Sequence, residues 1–199
     1  IKKSKMERHP VILSIAGSDC SGGAGIQADI KTISALGGYA ASAITAVTVQ
    51  NTLGVRAVHA IPPEIVCGQI EAVMEDLQPV AVKIGMVNDI QIVHVIADCI
   101  RKYSPEHIIY DPVMVSTSGC RLMQEDALDV FIHDLLPLAT LLTPNIPEAE
   151  ILAGIKIQNV EDIKSAASAI SKLGCKYVLI KGGHFGGNEK IDYLFEDGK

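Results

Sequence analysis

Short apolar segments rich in β-branched residues alternate with longer segments of helical periodicity along almost the whole sequence. The apolar segments read VILSIA, ITAVTVQ, PVAVKIGM, HIIYDPVMV, ATLLTPN and KYVLIKGG. Several are apolar on both faces, which is typical of strands covered by helices on both sides. Strands that alternate with helices form mostly parallel sheets, because each helix returns the chain to the same end of the sheet. We therefore predict one α/β domain over residues 1–199, a three-layer αβα sandwich with a mostly parallel central sheet.

The segments between these strands have the pattern of amphipathic helices. In GIQADIKTISALGG, Ile26, Ile30, Ile33 and Leu36 fall on one face, and a Gly-Gly pair marks the helix end. We expect this face to pack on the sheet. Further helices are predicted in PPEIVCGQIEAVMEDL, NDIQIVHVIADCI, EDALDVFIHDLL and NVEDIKSAASAISKLG.

The composition argues against several classes of partner. The 199 residues carry a net charge of −6 without a basic stripe, whereas nucleic acids and anionic membranes are bound through clustered Lys and Arg. No apolar run reaches the roughly 20 residues that a membrane span requires. The five cysteines are scattered and include no Cys-x-x-Cys pair, which is typical of reduced thiols. We expect a cytoplasmic protein that binds small molecules rather than nucleic acid or membrane.

The first strand runs into a glycine-rich turn, AGSDCSGGAGIQAD, that suits a ligand site. Its Gly-x-Gly-x-x-Ala spacing matches the dinucleotide-binding fingerprint only weakly, because the next strand ends in Gln50 and not in an acid. A phosphate-binding P-loop is excluded, since no Gly-Lys-Ser/Thr follows the glycines. Asp19 and Asp29 flank the turn, and two carboxylates would repel a phosphate. The turn is therefore predicted to accept a neutral or amine-bearing ligand.

Asp29 and Gln50 are the candidate polar contacts of that ligand. A carboxylate accepts hydrogen bonds from an amino group, and an amide offers both a donor and an acceptor to a heteroaromatic edge. The same residues also have explanations without a ligand. Asp29 is explained by the preference for acids in the first turn of a helix, and Gln50 by contact with water at a strand end. The glycines are explained by a tight turn.

Acids, amides and a lysine follow three later strands. Asp111 begins DPVMVSTSG, and Asn145 and Glu148 lie in LLTPNIPEAEIL. Their oxygen atoms are hard ligands of the kind that bind Mg²⁺, the companion of nucleotide phosphates, although a helix start explains Asn145 and Glu148 equally well. Lys181 precedes two glycines whose amides can form an anion site, or is simply solvated. Because ligands bind beyond the carboxyl ends of parallel strands, we expect these segments to form one site.

Taken together and in this order, AGSDCSGGAGIQADIKT, AVTVQNT, KIGM, DPVMVSTSG, LLTPNIPEAEIL and VLIKGGH closely resemble the hydroxymethylpyrimidine/phosphomethylpyrimidine kinases of thiamine biosynthesis. The resemblance covers essentially the whole chain. It implies a ribokinase-like fold and two phosphorylations, of 4-amino-5-hydroxymethyl-2-methylpyrimidine and then of its monophosphate. It also implies ATP and Mg²⁺ as cofactors and, by family analogy, a homodimer.

The resemblance implies three groups of site residues. Around the pyrimidine substrate it places Gly17, Asp29, Gln50, Met86 and Val113. It assigns the metal to Asp111, Asn145 and Glu148. It assigns the nucleotide phosphates to Lys181, Gly182 and His184.

The sequence departs from the family pattern at two places, and at a third position it differs from a related family. Thr117 stands where many members have a lysine, which weakens one phosphate contact or leaves it to another group. Ser116 stands where the related pyridoxal kinases have a cysteine, so a pyrimidine kinase is favoured over that alternative. The Gly-Thr-Gly-Cys or Gly-Thr-Gly-Asp motif that provides the family's anion hole and catalytic base does not occur in the 199 residues. We expect those functions beyond Lys199, and the other alternative is a pyrimidine-binding module without catalysis.

Overall fold

The computed structural model describes residues 9–87, 89–114, 125–182 and 190–199, which form one mixed sheet with helices between most of its strands. The strands are β1 Val11–Asp19, β2 Tyr39–Asn51, β3 Gly54–Ala60, β4 Ala81–Ile84, β5 His107–Tyr110, β6 Leu141–Leu142, β7 Tyr177–Ile180 and β8 Tyr193–Glu196. The helices are α1 Gly25–Ala35, α2 Pro63–Asp76, α3 Ile90–Tyr103, α4 Glu125–Val130, α5 Ile146–Ala153 and α6 Val160–Ser171. A π-helical turn at Phe131–Leu135 and a 3-10 turn at Leu136–Leu138 continue α4.

The sheet is mostly parallel, as predicted. Its strand order is β3-β2-β1-β4-β5-β6-β7-β8, and only the two edge pairs, β2 with β3 and β7 with β8, are antiparallel. The sequence pattern did not predict β3 and β8, because edge strands bury few side chains. In β3 the five residues from Arg56 to Ala60 are all exposed, and in β8 only Phe195 is buried.

The side chains of β1 divide the two helix layers. Successive side chains of a strand point to opposite faces. Leu13 and Ile15 are fully buried in the core that also contains α2 and α3, whereas Ser14 contacts α1 through a hydrogen bond to Asp29. The layers on both faces confirm the predicted sandwich. Within the described ranges, no helix has the length and apolar character needed to cross a membrane.

The predicted apolar face of α1 is only partly correct. Ile26 is buried and Ile30 and Ile33 are half-buried, but the side chain of Leu36 is 83% exposed. The helix ends at Ala35, so Leu36 leaves the helical path as the C-cap residue. The positive φ of Gly37 then turns the chain towards β2.

The winding of the sheet reverses between β1 and β4. From β1 the chain builds the sheet outwards through β2 and β3, and from β4 it builds in the opposite direction. At such a switch point the connections of two adjacent strands leave in opposite directions, which opens a crevice at their carboxyl ends. The fold therefore places a binding site beyond the ends of β1 and β4.

Candidate functional site

A cavity of about 320 Å³ lies at this switch point. The ends of β1, β2, β4 and β5 and the first turns of α1 form its walls, and its volume is at the lower end of the range for small-molecule sites. The structure brings together in this cavity all five residues that the resemblance placed around the substrate, Gly17, Asp29, Gln50, Met86 and Val113. They come from five separate segments of the chain.

Asp19 organises the glycine-rich turn above the cavity. Its Oδ1 atom accepts hydrogen bonds from the backbone and hydroxyl of Ser21, both at 2.8 Å. Its Oδ2 atom accepts from the amides of Gly23 and Ala24, at 3.0 and 2.9 Å. Burial raises the pKa of the Asp19 carboxyl, but the hydrogen bonds from Ser21, Ala24 and Gly23 outweigh this effect and hold the pKa below its usual value. Asp19 thus uses its charge to hold the turn.

Two glycines allow close packing in the cavity wall, and glycine is required at the first of them. Gly25 has a φ of +57°, and a side chain there would collide with the carbonyl oxygen of Gly17. At Gly17, a Cβ atom would lie only 2.5 Å from the Cε atom of Met86. The absence of both side chains lets α1 and Met86 close against the end of β1.

Asp29 lies in a small polar cluster on the α1 side of the sheet. The hydroxyl of the fully buried Ser14 donates to Asp29 Oδ2 at 2.6 Å, and the Lys83 ammonium donates to the same atom at 3.0 Å. Lys83 also lines the cavity, and sequence reasoning missed it. The available signal was a lysine inside an otherwise apolar strand, since a charge in that position needs an acidic partner.

Gln50 reaches the cavity from an irregular end of β2. Val49 pairs with Ala57 but Gln50 pairs with Val55, so β3 has one extra residue at this point. Such a bulge changes the direction of the neighbouring side chains. The Cys20 thiol donates to the Gln50 carbonyl at 3.0 Å and joins the glycine-rich turn to the same strand end. In the part of the chain that is described, the Nε2 atom of Gln50 donates to no protein group.

A second cluster forms at the ends of β5, β6 and β7. The Lys181 ammonium donates to Asp111 Oδ1 at 2.6 Å, and the Thr143 hydroxyl donates to the same atom at 3.1 Å. Asp111 lines the cavity as well. It therefore connects the predicted substrate residues with the predicted phosphate residues.

Asn145 and Glu148 form a capping box at the start of α5. The Glu148 amide donates to Asn145 Oδ1 at 2.9 Å, and the Asn145 amide donates to Glu148 Oε2 at 2.8 Å. The alternative explanation of these residues as a helix start is thus correct in its local geometry. Burial raises the pKa of Glu148 above its usual value, although the Asn145 amide and the charge of Lys181 oppose the shift.

The remaining predicted residues lie beside this cluster or cannot be placed. The Gly182 amide donates to the Asp192 carboxylate at 3.0 Å, so it already binds an anionic oxygen. His184, Ser116 and Thr117 lie outside the described residues. The predictions made for them stay predictions.

The oxygen atoms of this cluster suit a metal ion that takes most of its ligands from elsewhere. Among the residues that the structure describes, no three His, Cys, Asp or Glu side chains are grouped to hold a metal. Asp111 and Glu148 are close enough for the charge of Asp111 to affect the pKa of Glu148. One or two carboxylates completed by phosphates and water are the usual surroundings of Mg²⁺, so the donor set fits that ion.

Comparison with known proteins agrees with the sequence resemblance. The profile of the phosphomethylpyrimidine kinase family matches residues 19–199. A hydroxymethylpyrimidine/phosphomethylpyrimidine kinase of Rhizobium meliloti is 50% identical over 187 residues, which are 94% of this chain and 70% of that protein.

Solved structures show the same relationship. The crystal structure of a phosphomethylpyrimidine kinase from Clostridium difficile has a TM-score of 0.88 and 52% identity, covering 94% of this chain and 80% of the other. A pyridoxal kinase from Staphylococcus aureus in complex with AMP-PCP has a TM-score of 0.86 at 32% identity, covering 95% and 69%. The fold is shared with both, and the identity is higher with the pyrimidine kinases. The predicted family is confirmed: the chain belongs to the phosphomethylpyrimidine kinases.

Proposed function

We propose that this chain binds 4-amino-5-hydroxymethyl-2-methylpyrimidine in the cavity at the switch point, and that the protein phosphorylates first this compound and then its monophosphate with Mg-ATP. The observation that carries the proposal is that Asp111 belongs to both parts of the site. It lines the cavity and is paired with Lys181 in the predicted phosphate cluster. A substrate hydroxymethyl group near Asp111 would therefore lie at the boundary between the two groups of residues.

Asp29 and Gln50 are proposed to form hydrogen bonds with the polar edge of the pyrimidine ring. Asp29 Oδ2 is bound by Ser14 and Lys83, whereas Oδ1 accepts no hydrogen bond from the residues described, so it is available to an amino group. The Gln50 Nε2 atom is available to a ring nitrogen. Gly17, Met86 and Val113 provide apolar and backbone contacts around the ring.

The cluster at β5 to β7 is proposed to receive the phosphates. Lys181, which is 39% exposed, is close enough to exchange its contact with Asp111 for a phosphate oxygen. Asp111 and Glu148, with Asn145 as the residue that positions Glu148, would hold Mg²⁺. When bound, that ion neutralises phosphate charge and fixes the geometry for transfer. Gly182 and His184 are proposed to complete the nucleotide phosphate site.

We also propose a homodimer, which the resemblance implies. The outer face of the β2–β3 hairpin supports it, because Val47 and Val49 are 43% and 55% exposed. Light scattering of the complete gene product measures its mass in solution. A monomer at micromolar concentration would contradict this part of the proposal.

The function is tested by ADP release from Mg-ATP, with the complete gene product and hydroxymethylpyrimidine, its monophosphate or pyridoxal as the acceptor. We expect turnover with both pyrimidines. Turnover with pyridoxal alone would assign the protein to the neighbouring kinases. Binding of the pyrimidine without any turnover would favour a non-catalytic module.

Replacing Gln50 with alanine tests the substrate contact. Loss of one hydrogen bond of about 0.5–1.5 kcal/mol predicts a rise of about 2- to 10-fold in KM for hydroxymethylpyrimidine, with KM for ATP unchanged. Gln91→Ala, an exposed glutamine of α3, is the matched control and should change neither constant. An unchanged KM in the Gln50 variant would remove this residue from the pocket.

A further inference from the structure

Lys83 is a charged residue of the cavity wall that the sequence assigned to neither the substrate nor the phosphates. It lies on β4, next to β1 in the centre of the sheet, and its side chain is 24% exposed. Its ammonium donates to Asp29 Oδ2 at 3.0 Å and, among the residues that are described, to no other acceptor. Its charge is therefore directed to a single carboxylate.

That carboxylate has two protein donors on one oxygen. Ser14 and Lys83 both bind Oδ2, at 2.6 and 3.0 Å, and Ser14 is completely buried. The two donors come from adjacent strands, β1 and β4, and together they fix the carboxylate. Oδ1 accepts no protein hydrogen bond within the described ranges, and Asp29 lines the cavity. One oxygen is thus used by the protein and the other is left for a ligand.

The backbone around Lys83 makes room for its ammonium. Gly85 follows two residues later, and a Cβ atom there would lie 2.8 Å from Lys83 Nζ and 3.0 Å from the Cβ of Ala16. A side chain at this position would require the end of the Lys83 side chain to shift. Gly85 therefore leaves space beside the ion pair.

We infer that Lys83 is a specificity-determining residue, which acts with Ser14 by holding the Asp29 carboxylate in one orientation, with Oδ1 available to the ligand. An ionised carboxylate only accepts hydrogen bonds, so it favours a ring with an amino donor. Without Lys83, Ser14 alone would hold the carboxylate, so Oδ1 would no longer be fixed in the position that favours an amino donor over a ring without one. Lys83 is thus a positioning residue for the amino group of the substrate, and this inference rests on the proposed function.

The test is a comparison of two ligands by titration calorimetry with the complete gene product. The ligands are 4-amino-5-hydroxymethyl-2-methylpyrimidine and the same ring without the amino group. The ratio of their Kd values measures the contribution of the amino group. We expect Lys83→Met to lower the preference for the amino compound about tenfold, and Lys83→Arg to restore most of it. Lys156→Met, which removes an exposed ion pair with Glu150, is the control and should leave the ratio unchanged.

The ratio of the two Kd values distinguishes a role of Lys83 in specificity from a purely structural role. If Lys83 only holds β4 against α1, its loss weakens the binding of both ligands equally and the ratio stays at the wild-type value. That result would overturn the inference, as would an arginine variant no more selective than the methionine variant. Both Kd values come from one preparation, so a partly folded variant does not alter their ratio, and Lys83→Gln serves as a second neutral variant. Failure of the wild-type protein to bind the amino compound would instead contradict the proposed function.

Discussion

Replacing Asp19 with alanine tests whether one carboxylate holds the glycine-rich turn. The Asp19 side chain is 3% exposed and accepts hydrogen bonds from the amides of Ser21, Gly23 and Ala24 and from the Ser21 hydroxyl. A hydrogen bond to a charged group contributes about 1.5–3 kcal/mol when it is buried. Ser21, Gly23 and Ala24 are exposed, so water replaces part of what they lose. Taking about 1 kcal/mol for each of the three amides, we expect a loss of about 3 kcal/mol in the free energy of unfolding.

Urea unfolding at pH 7 measures this loss, with two aspartates as matched controls. Asp89→Ala removes a cap that accepts from two amides at the start of α3, and should cost about 1 kcal/mol. Asp98→Ala removes an exposed partner of Arg101 and should cost less than about 0.5 kcal/mol. An Asp19 variant that loses no more than the Asp89 variant would refute the reasoning.

The dependence on pH gives an independent check of the Asp19 charge. The pKa of Asp19 is lower in the folded protein than its usual value, so its stabilising contribution is present above the unfolded pKa of about 3.9. That contribution is lost as the pH falls through the folded pKa. The stability difference between the wild type and Asp19→Asn should therefore be constant from pH 5 to 7 and shrink below about pH 4. A difference that grows on acidification would have the wrong sign.

Three further predictions concern other parts of the site. Glu148→Gln should leave the unfolding free energy at pH 8 equal or higher, because ionising a carboxyl whose pKa burial has raised costs stability as the pH rises. The same variant should need a higher Mg²⁺ concentration for half-maximal activity in the kinase assay, because it removes a proposed metal ligand. Gly25→Ala should lose at least about 2 kcal/mol in urea unfolding, and more than Gly37→Ala, whose φ is also positive but whose surroundings are open. Burial, with the hydrogen bond between Cys99 and Cys67, raises the pKa of Cys99 to about 12, so mass spectrometry should find that iodoacetamide at pH 8 modifies the exposed Cys20 before Cys99.

The parallel part of the sheet was predictable because its strands are recognisable in the sequence as short apolar segments. Strand β1 buries side chains on both faces, and its continuous apolar run in the sequence reflects that burial directly. Strand β3 lacks a continuous apolar run, since it is held mainly by backbone pairing with β2 and its last five side chains are exposed. The irregular pairing at Gln50 was equally unpredictable, because it depends on the turn that connects the two strands.

The sequence predicted which segments form the site, but it did not predict which side chains form ion pairs with one another. Each segment follows a strand, and the carboxyl ends of parallel strands necessarily meet at one edge. The ion pairs join residues that are far apart in the chain, 54 positions for Asp29 and Lys83 and 70 for Asp111 and Lys181. No local pattern contains such a pairing. Asp19 illustrates the same limit, because the five hydrogen bonds of its carboxylate exist only in the folded turn.

These pairs change the electrostatic argument about the turn. From the sequence, two carboxylates beside the glycines should repel a phosphate, yet the proposed second substrate is itself a phosphate ester. In the structure each carboxylate of the cavity wall is matched by protein groups: Asp19 by backbone amides, Asp29 by Lys83 and Asp111 by Lys181. A phosphate entering the cavity therefore meets carboxylates whose charges are already offset by protein groups, which reduces the repulsion. Under the proposed function, the same pairing explains how one cavity would accept both the neutral pyrimidine and its monophosphate.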